Sequence, residues 1–171
     1  MDYAKSTIAD VPDFPKPGII FKDITPMLTD ARAFAEVLDT LAERYRGRGI
    51  THFAGIESRG FIFAAPLAKL LGAGLILIRK PGKLPRATYS ESYELEYGTD
   101  TLEIHRDAAG AGDKVVILDD LIATGGTAAA AVALVQQTGA SVEELSAVIE
   151  LTFLNGRTKL GETSCHALIQ Y

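Results

Sequence analysis

Cysteine occurs once in this 171-residue chain, at position 165. One cysteine can close no internal disulfide and cannot assemble a cysteine-based zinc site, so a reducing compartment fits. Cys165 lies in Thr163-Ser-Cys-His-Ala-Leu-Ile-Gln-Tyr171, which reads as a terminal strand, and there the expected role is that of a small buried hydrophobe. Long apolar runs are also missing. No stretch reaches membrane-spanning length and the N-terminus, with acidic Asp2, has no apolar core of signal-peptide size, so the expectation is a cytoplasmic protein without a membrane partner. Positive charge is scarce as well, with 17 Lys and Arg against 22 Asp and Glu and a formal net charge of -5. Long nucleic acid, which is gripped through clustered cations, is therefore not an expected partner. A small phosphate ester stays open, because a backbone loop and two or three cations can hold one in an acidic protein.

The composition that remains is ordinary for a globule, 47% hydrophobic and 23% charged. The length suits one domain with one core. Asp30 to Arg48 carries Phe34, Val37, Leu38, Leu41 and Tyr45 at three- and four-residue intervals behind Asp30 as a cap, which predicts an amphipathic helix. Thr51 to Ile56 is short and apolar, Ser58 to Leu71 is helical and ends at Gly72, and Leu75 to Ile78 is a second apolar run. Val115 to Leu118 is a third, followed by a helix from about Gly126 to Gln137, and a fourth lies near Leu145 to Leu151. Short, wholly apolar strands alternating with helices imply an α/β fold, with a mainly parallel central sheet flanked by helices on both faces. Ligands of such sheets collect beyond the carboxyl ends of the strands.

Lys80 to Gly98 breaks this rhythm with Pro81, Gly82, Pro85, two serines and three tyrosines. It reads as a long excursion of the lid or binding-loop kind, with a plain β-hairpin as the alternative. The histidines at 52, 105 and 166 have no metal-ligand spacing and read as structural or surface groups, His105 in a connecting loop.

The chemistry concentrates in Val115-Val-Ile-Leu-Asp-Asp-Leu-Ile-Ala-Thr-Gly-Gly-Thr127, where a buried strand, two carboxylates, a small-residue turn and a helix start follow in succession. Ala123, Thr124, Gly125 and Gly126 lack bulk, so the backbone can curl its N–H groups toward a phosphate. The helix dipole and the Thr124 and Thr127 hydroxyls favour the same anion. Asp119 and Asp120 gain nothing from a bare phosphate but can accept hydrogen bonds from the hydroxyls of an attached pentose. With no Lys before its Thr and no glycine-x-glycine spacing, the segment fits neither a Walker loop nor a dinucleotide loop.

That string resembles the phosphoribosyl-pyrophosphate signature of the type I phosphoribosyltransferases. Phe14-Pro-Lys-Pro-Gly-Ile-Ile-Phe-Lys-Asp-Ile-Thr25, Ala54-Gly-Ile-Glu-Ser-Arg-Gly-Phe61, Arg79-Lys-Pro-Gly-Lys-Leu-Pro85 and Leu95-Glu-Tyr-Gly98 are similar to the adenine-specific branch of that family. The resemblance spans nearly the whole chain. It implies transfer of a phosphoribosyl group from phosphoribosyl pyrophosphate to adenine, giving AMP and pyrophosphate in purine salvage, and it implies a homodimer. Magnesium (Mg2+) is implied as the cofactor, held mainly by the substrate. Arg59 is implied to contact the pyrophosphate, with Arg79 and Lys83 reaching it within the subunit or across the interface. Glu96 corresponds to the family's acid/base at the end of a lid spanning about 80–98. Ile20, Phe21 and Lys22, in an N-terminal segment 1–29, and Leu151 on the opposite side correspond to the adenine pocket. For Ile20 and Leu151 an apolar core role is the alternative. Lys22 stands where the family commonly has arginine, which replaces a planar fork by a point charge.

Overall fold

Four apolar runs and the terminal strand become neighbours in one sheet. A computed structural model describes residues 1–94 and 98–171, in two compact units, Met1–Arg44 and Tyr45–Tyr171.

The first unit begins with a short helix α1 (Asp2–Ser6) and an antiparallel pair, β1 (Ala9–Pro12) and β2 (Ile20–Asp23). A short helix α2 (Thr25–Thr29) follows, then α3 (Ala31–Tyr45), which runs to the unit boundary. The expected cap is present: Asp30 Oδ1 accepts the backbone N–H groups of Arg32 and Ala33, both at 2.9 Å. These bonds satisfy donors that the first turn leaves without partners and hold the Asp30 carboxyl below its usual range, the Ala33 bond being the largest cause.

The second unit contains β3 (His52–Ile56), α4 (Gly60–Leu71), β4 (Gly74–Ile78), β5 (Thr88–Glu94), β6 (Thr99–His105), β7 (Lys114–Ile122), α5 (Gly126–Gln137), β8 (Ser141–Glu150), two short 3-10 turns (Thr152–Leu154 and Gly156–Leu160) and β9 (Cys165–Gln170). Its sheet has the order β4-β3-β7-β8-β9, and every pairing is parallel. Helices cover both faces. A side chain at Gly55 would meet Phe61 and Ala64 of α4, whereas the alternate residues Ala54 and Ile56 join Ala131, Leu134 and Val135 of α5 in the main apolar cluster. Coverage on both sides is why these strands read as continuous apolar runs instead of alternating.

Three local expectations change. β7 does not stop at Leu118 but continues to Ile122, because β8 runs alongside and pairs Leu121 with Ile149 and Ile122 with Glu150. The carboxylates are therefore strand residues. The excursion after Lys80 is not irregular throughout but carries an antiparallel β5–β6 pair registered from Thr88 opposite His105 to Glu94 opposite Thr99. His105 accordingly ends a strand, not a connecting loop. One face of this hairpin carries Tyr93, Leu102 and Ile104, which are buried in the same cluster as α5. No helix among the described residues is long and apolar enough to cross a membrane.

Candidate active site

Beyond the carboxyl ends of β3 and β7 the second unit opens a cavity of approximately 370 Å³. The β7–α5 connection lines it from Asp119 to Ala128, and Ile56, Glu57, Ser58, Arg59, Lys80 and Tyr93 complete the wall. Asp119, Asp120, Ala123, Thr124, Gly125, Gly126, Thr127 and Arg59 are thus brought together as the sequence implied. The peptide between Glu57 and Ser58, at the exit of β3, is cis.

The two carboxylates leave β7 on opposite sides of the strand but stay neighbours at its end, the Asp120 N–H donating to Asp119 Oδ1 at 2.9 Å. Consecutive strand residues point to opposite faces, so Asp119 shares the α5 face with Ala147, its partner on β8, while Asp120 turns toward the start of α4. There Arg59 Nε donates to Asp120 Oδ2 at 2.5 Å, and Asp120 is only 6% exposed. Asp119 has its pKa raised well above the ordinary carboxylate range, first by burial and then by the neighbouring Asp120 charge. A group that donates a hydrogen bond to its ionised form would lower it again.

The turn after β7 is a backbone cradle. Gly125 takes φ 80°, in the left-handed region, and α5 starts at the next residue, so the first N–H groups of the helix face the turn with no partner inside the helix. A side chain on Gly125 would lie 2.1 Å from the carbonyl oxygen of Gly156, so glycine is required here by space as well as by dihedral. Three donors of this kind, the hydroxyls of Thr124 and Thr127 and the helix dipole make a site for a phosphate monoester.

Sequence reasoning missed the parts of the wall that come from elsewhere in the chain. Lys80 is the clearest. Burial works to lower its pKa, but bonds from its ammonium to Asp100 and, at 3.1 Å, to the Tyr93 hydroxyl outweigh that and raise it, so a fixed cation stands in the cavity. The available signal was its place between Arg79 and Lys83. Those two are not in the cavity wall. Arg79 is turned to Glu57, Nε and Nη2 lying 3.3 and 3.2 Å from its two carboxylate oxygens, and its Nη1 donates to the Lys83 carbonyl at 3.3 Å. The Lys80 backbone N–H, the largest influence, and then Arg79 hold the Glu57 carboxyl below its usual range.

Leu151, half-buried, follows β8 and donates its N–H to the Ile122 carbonyl at 2.9 Å, directly beside the cradle's entrance. Ile20, Phe21 and Lys22 form β2 of the first unit. Ile20 is 56% exposed, the Phe21 ring meets Phe14 edge-on at 5.2 Å, and Lys22 Nζ pairs with its cross-strand partner Asp10 at 2.6 Å. Glu96 lies outside the described residues.

Comparison with known proteins agrees with this geometry. Residues 25–162 match the family model of the phosphoribosyl transferase domain. The adenine phosphoribosyltransferase of Roseiflexus sp. strain RS-1 is 58% identical over 164 residues, covering 96% of this chain and 95% of its own length. Among solved structures, adenine phosphoribosyltransferase from Thermoanaerobacter pseudethanolicus superposes with a TM-score of 0.95 at 52% identity, covering 99% of both chains. The Saccharomyces cerevisiae enzyme, solved with an imino-altritol bisphosphate and adenine, has a TM-score of 0.92 at 42% identity and covers 98% of this chain and 97% of its own. The chain belongs to the phosphoribosyltransferase family, in its adenine phosphoribosyltransferase branch.

Proposed function

We propose that this protein transfers the 5-phosphoribosyl group of phosphoribosyl pyrophosphate to N9 of adenine, releasing AMP and pyrophosphate in purine salvage. The observation that carries the reading is the juxtaposition, in one cavity, of a helix-start backbone cradle with two strand-borne carboxylates and two cations, Arg59 and Lys80. A cradle alone binds any phosphate. Carboxylates next to it select a phosphate that arrives attached to a polyol, and cations in the same cavity select a second anionic group on the same ligand.

In the reaction the bond from C1 to the pyrophosphate oxygen breaks while N9 approaches from the opposite side. Positive charge develops on the ribose and negative charge on the leaving group. The cradle holds the 5-phosphate, so the sugar cannot recoil. Asp119 and Asp120 accept from the 2- and 3-hydroxyls and fix its rotation. Arg59 meets the departing pyrophosphate, with Arg79 and Lys83 reaching the same group once drawn from Glu57 and the adjacent turn. The purine proton passes to Glu96, hydrogen-bonded at N7. Leu151, beside the cradle, contacts the adenine, and the 80–98 segment closes over the ribose so that water does not intercept it.

Magnesium fits as an ion carried in with the donor. The carboxylates of Glu57, Asp119 and Asp120 line the cavity and supply hard oxygens near such an ion. When bound, it would offset the charge of the pyrophosphate. A homodimer belongs to the same reading, because Leu75 and Leu77 on edge strand β4 and Leu70 on α4 are exposed large hydrophobes that a second copy would cover. A reducing cytoplasm suits the lone Cys165, whose thiol is pushed up by burial and kept protonated.

The test is AMP formation from phosphoribosyl pyrophosphate with magnesium and a panel of purines. Adenine should be preferred over hypoxanthine by at least about a hundredfold in kcat/KM, because the pocket's polar groups are left unpaired by the wrong base edge. Equal turnover of hypoxanthine would overturn the base assignment, and no AMP at all would overturn the reading.

A further inference from the structure

We infer that Arg157, through its ion pair with Glu150, is a positioning residue for the 5-phosphate cradle, and that it acts through the backbone of Gly156. The inference rests on the proposed reading of the cavity as a phosphoribosyl site.

The cradle has almost no side-chain bulk of its own to fix its curvature. Its rear leans on the turn at residues 155–157. A side chain on Gly156 would stand 2.3 Å from the Ala123 carbonyl oxygen and 2.9 Å from the Gly125 nitrogen, and one on Gly125 would stand 2.1 Å from the Gly156 carbonyl oxygen. Two main chains touch there with no side chain between them, so a shift of one moves the other.

Arg157, the next residue, pins that turn. Its Nε and Nη2 donate to Glu150 Oε1 and Oε2 at 2.5 and 2.6 Å, and Nη1 donates to the Cys165 carbonyl at 2.8 Å. Glu150 is 3% exposed and takes a further bond from Gln170 Nε2 at 3.1 Å. It is also the β8 partner of Ile122, the residue at which β7 gives way to the cradle. The chain thus runs from strand end to cradle, from cradle to Gly156, and through Arg157 and Glu150 back to the strand end. A planar fork on a buried carboxylate fixes orientation in a way that a lysine ammonium cannot.

Arg157→Lys and Gly156→Ala decide the matter, with ribose 5-phosphate affinity by calorimetry as the readout, alongside KM for both substrates, kcat and thermal unfolding. Arg157→Lys should weaken ribose 5-phosphate binding and raise the KM for phosphoribosyl pyrophosphate at least about threefold, and Gly156→Ala about tenfold or more, with the adenine KM unchanged. A role confined to stability predicts the opposite split, a lower melting temperature with wild-type affinity in the folded protein, and that result overturns the inference. If Gly156→Ala does not fold, Arg157→Lys alone decides between the two outcomes. Failure of the wild type to make AMP would strike the proposed function, whereas ribose 5-phosphate binding needs no turnover and tests Arg157 separately.

Discussion

The cradle and the hairpin border the same cavity but are built by opposite means. From Asp119 to Gly126 the chain is held by backbone contact. Glycine faces glycine, strand pairing continues to Ile122, and the two carboxylates are fixed by a neighbour or by burial. The β5–β6 hairpin is held by one buried face, Tyr93, Leu102 and Ile104, and shows the other to solvent through Ser90, Ser92 and Glu94. Its ties are polar and partly exposed, such as Ser90 to Glu103 and Ser92 to Thr101. Main-chain contact leaves no slack for adjustment, whereas a two-stranded ribbon with one apolar face can shift as a unit. Under the proposed function, the difference corresponds to a cradle preformed for the phosphate and a hairpin that admits substrate and then excludes water.

The sharpest way to break this contrast is Gly125→Ala. Its Cβ collides with the Gly156 carbonyl and its φ of 80° disfavours any side chain, so donor binding should fall by about a hundredfold or more. Direct titration with phosphoribosyl pyrophosphate checks it, and retained affinity would mean the cradle is not rigid. Glu96→Gln comes next. The amide keeps the shape but takes no proton, so kcat should fall by about a hundredfold or more with donor affinity intact, as measured by steady-state rates beside equilibrium binding.

A smaller effect tests the carboxylates. Asp119 is raised in the free protein, so its ionisation imposes a stability penalty that is fully present above its folded pKa and vanishes as pH falls to the unfolded value of a normal aspartate. Sugar hydroxyls that donate to the ionised form reverse the shift, so AMP binding should release protons in the interval between the bound and free pKa values. Calorimetry in two buffers of different ionisation heat counts them. Identical proton counts for wild type and Asp119→Asn would remove the hydroxyl contact. The smallest effect belongs to the hairpin's outer surface, where Arg86 pairs with Asp107 and both side chains are more than half exposed. Arg86→Ala should change stability by only about 0 to 1 kcal/mol, seen in urea unfolding.

Much of the site could be read before the fold was known, and unevenly so. The Asp119–Thr127 string carries its chemistry in consecutive residues, and local sequence decides what a strand end, a small-residue turn and a helix start will do. The apolar runs pointed to the parallel sheet for a similar reason, since coverage on both faces removes alternation. Lys80, Tyr93 and Glu57 were not legible as cavity walls, because they come from segments up to about seventy residues away whose approach depends on strand order. The β7 strand end was misjudged for the same cause: pairing with β8 carried the strand through two aspartates that local propensity would have placed in a loop.

The sequence alone determined the α/β class, the cap at Asp30, the cradle at Gly125 and the two neighbouring carboxylates, all of which follow from periodicity, side-chain size and bonding capacity over a few residues. Only the tertiary structure decided that Asp120 pairs with Arg59, that Arg79 rests on Glu57, and that Gly156 backs the cradle. Those facts depend on which distant segments the sheet brings side by side, and close approach between segments far apart in the chain leaves no periodic trace in either of them.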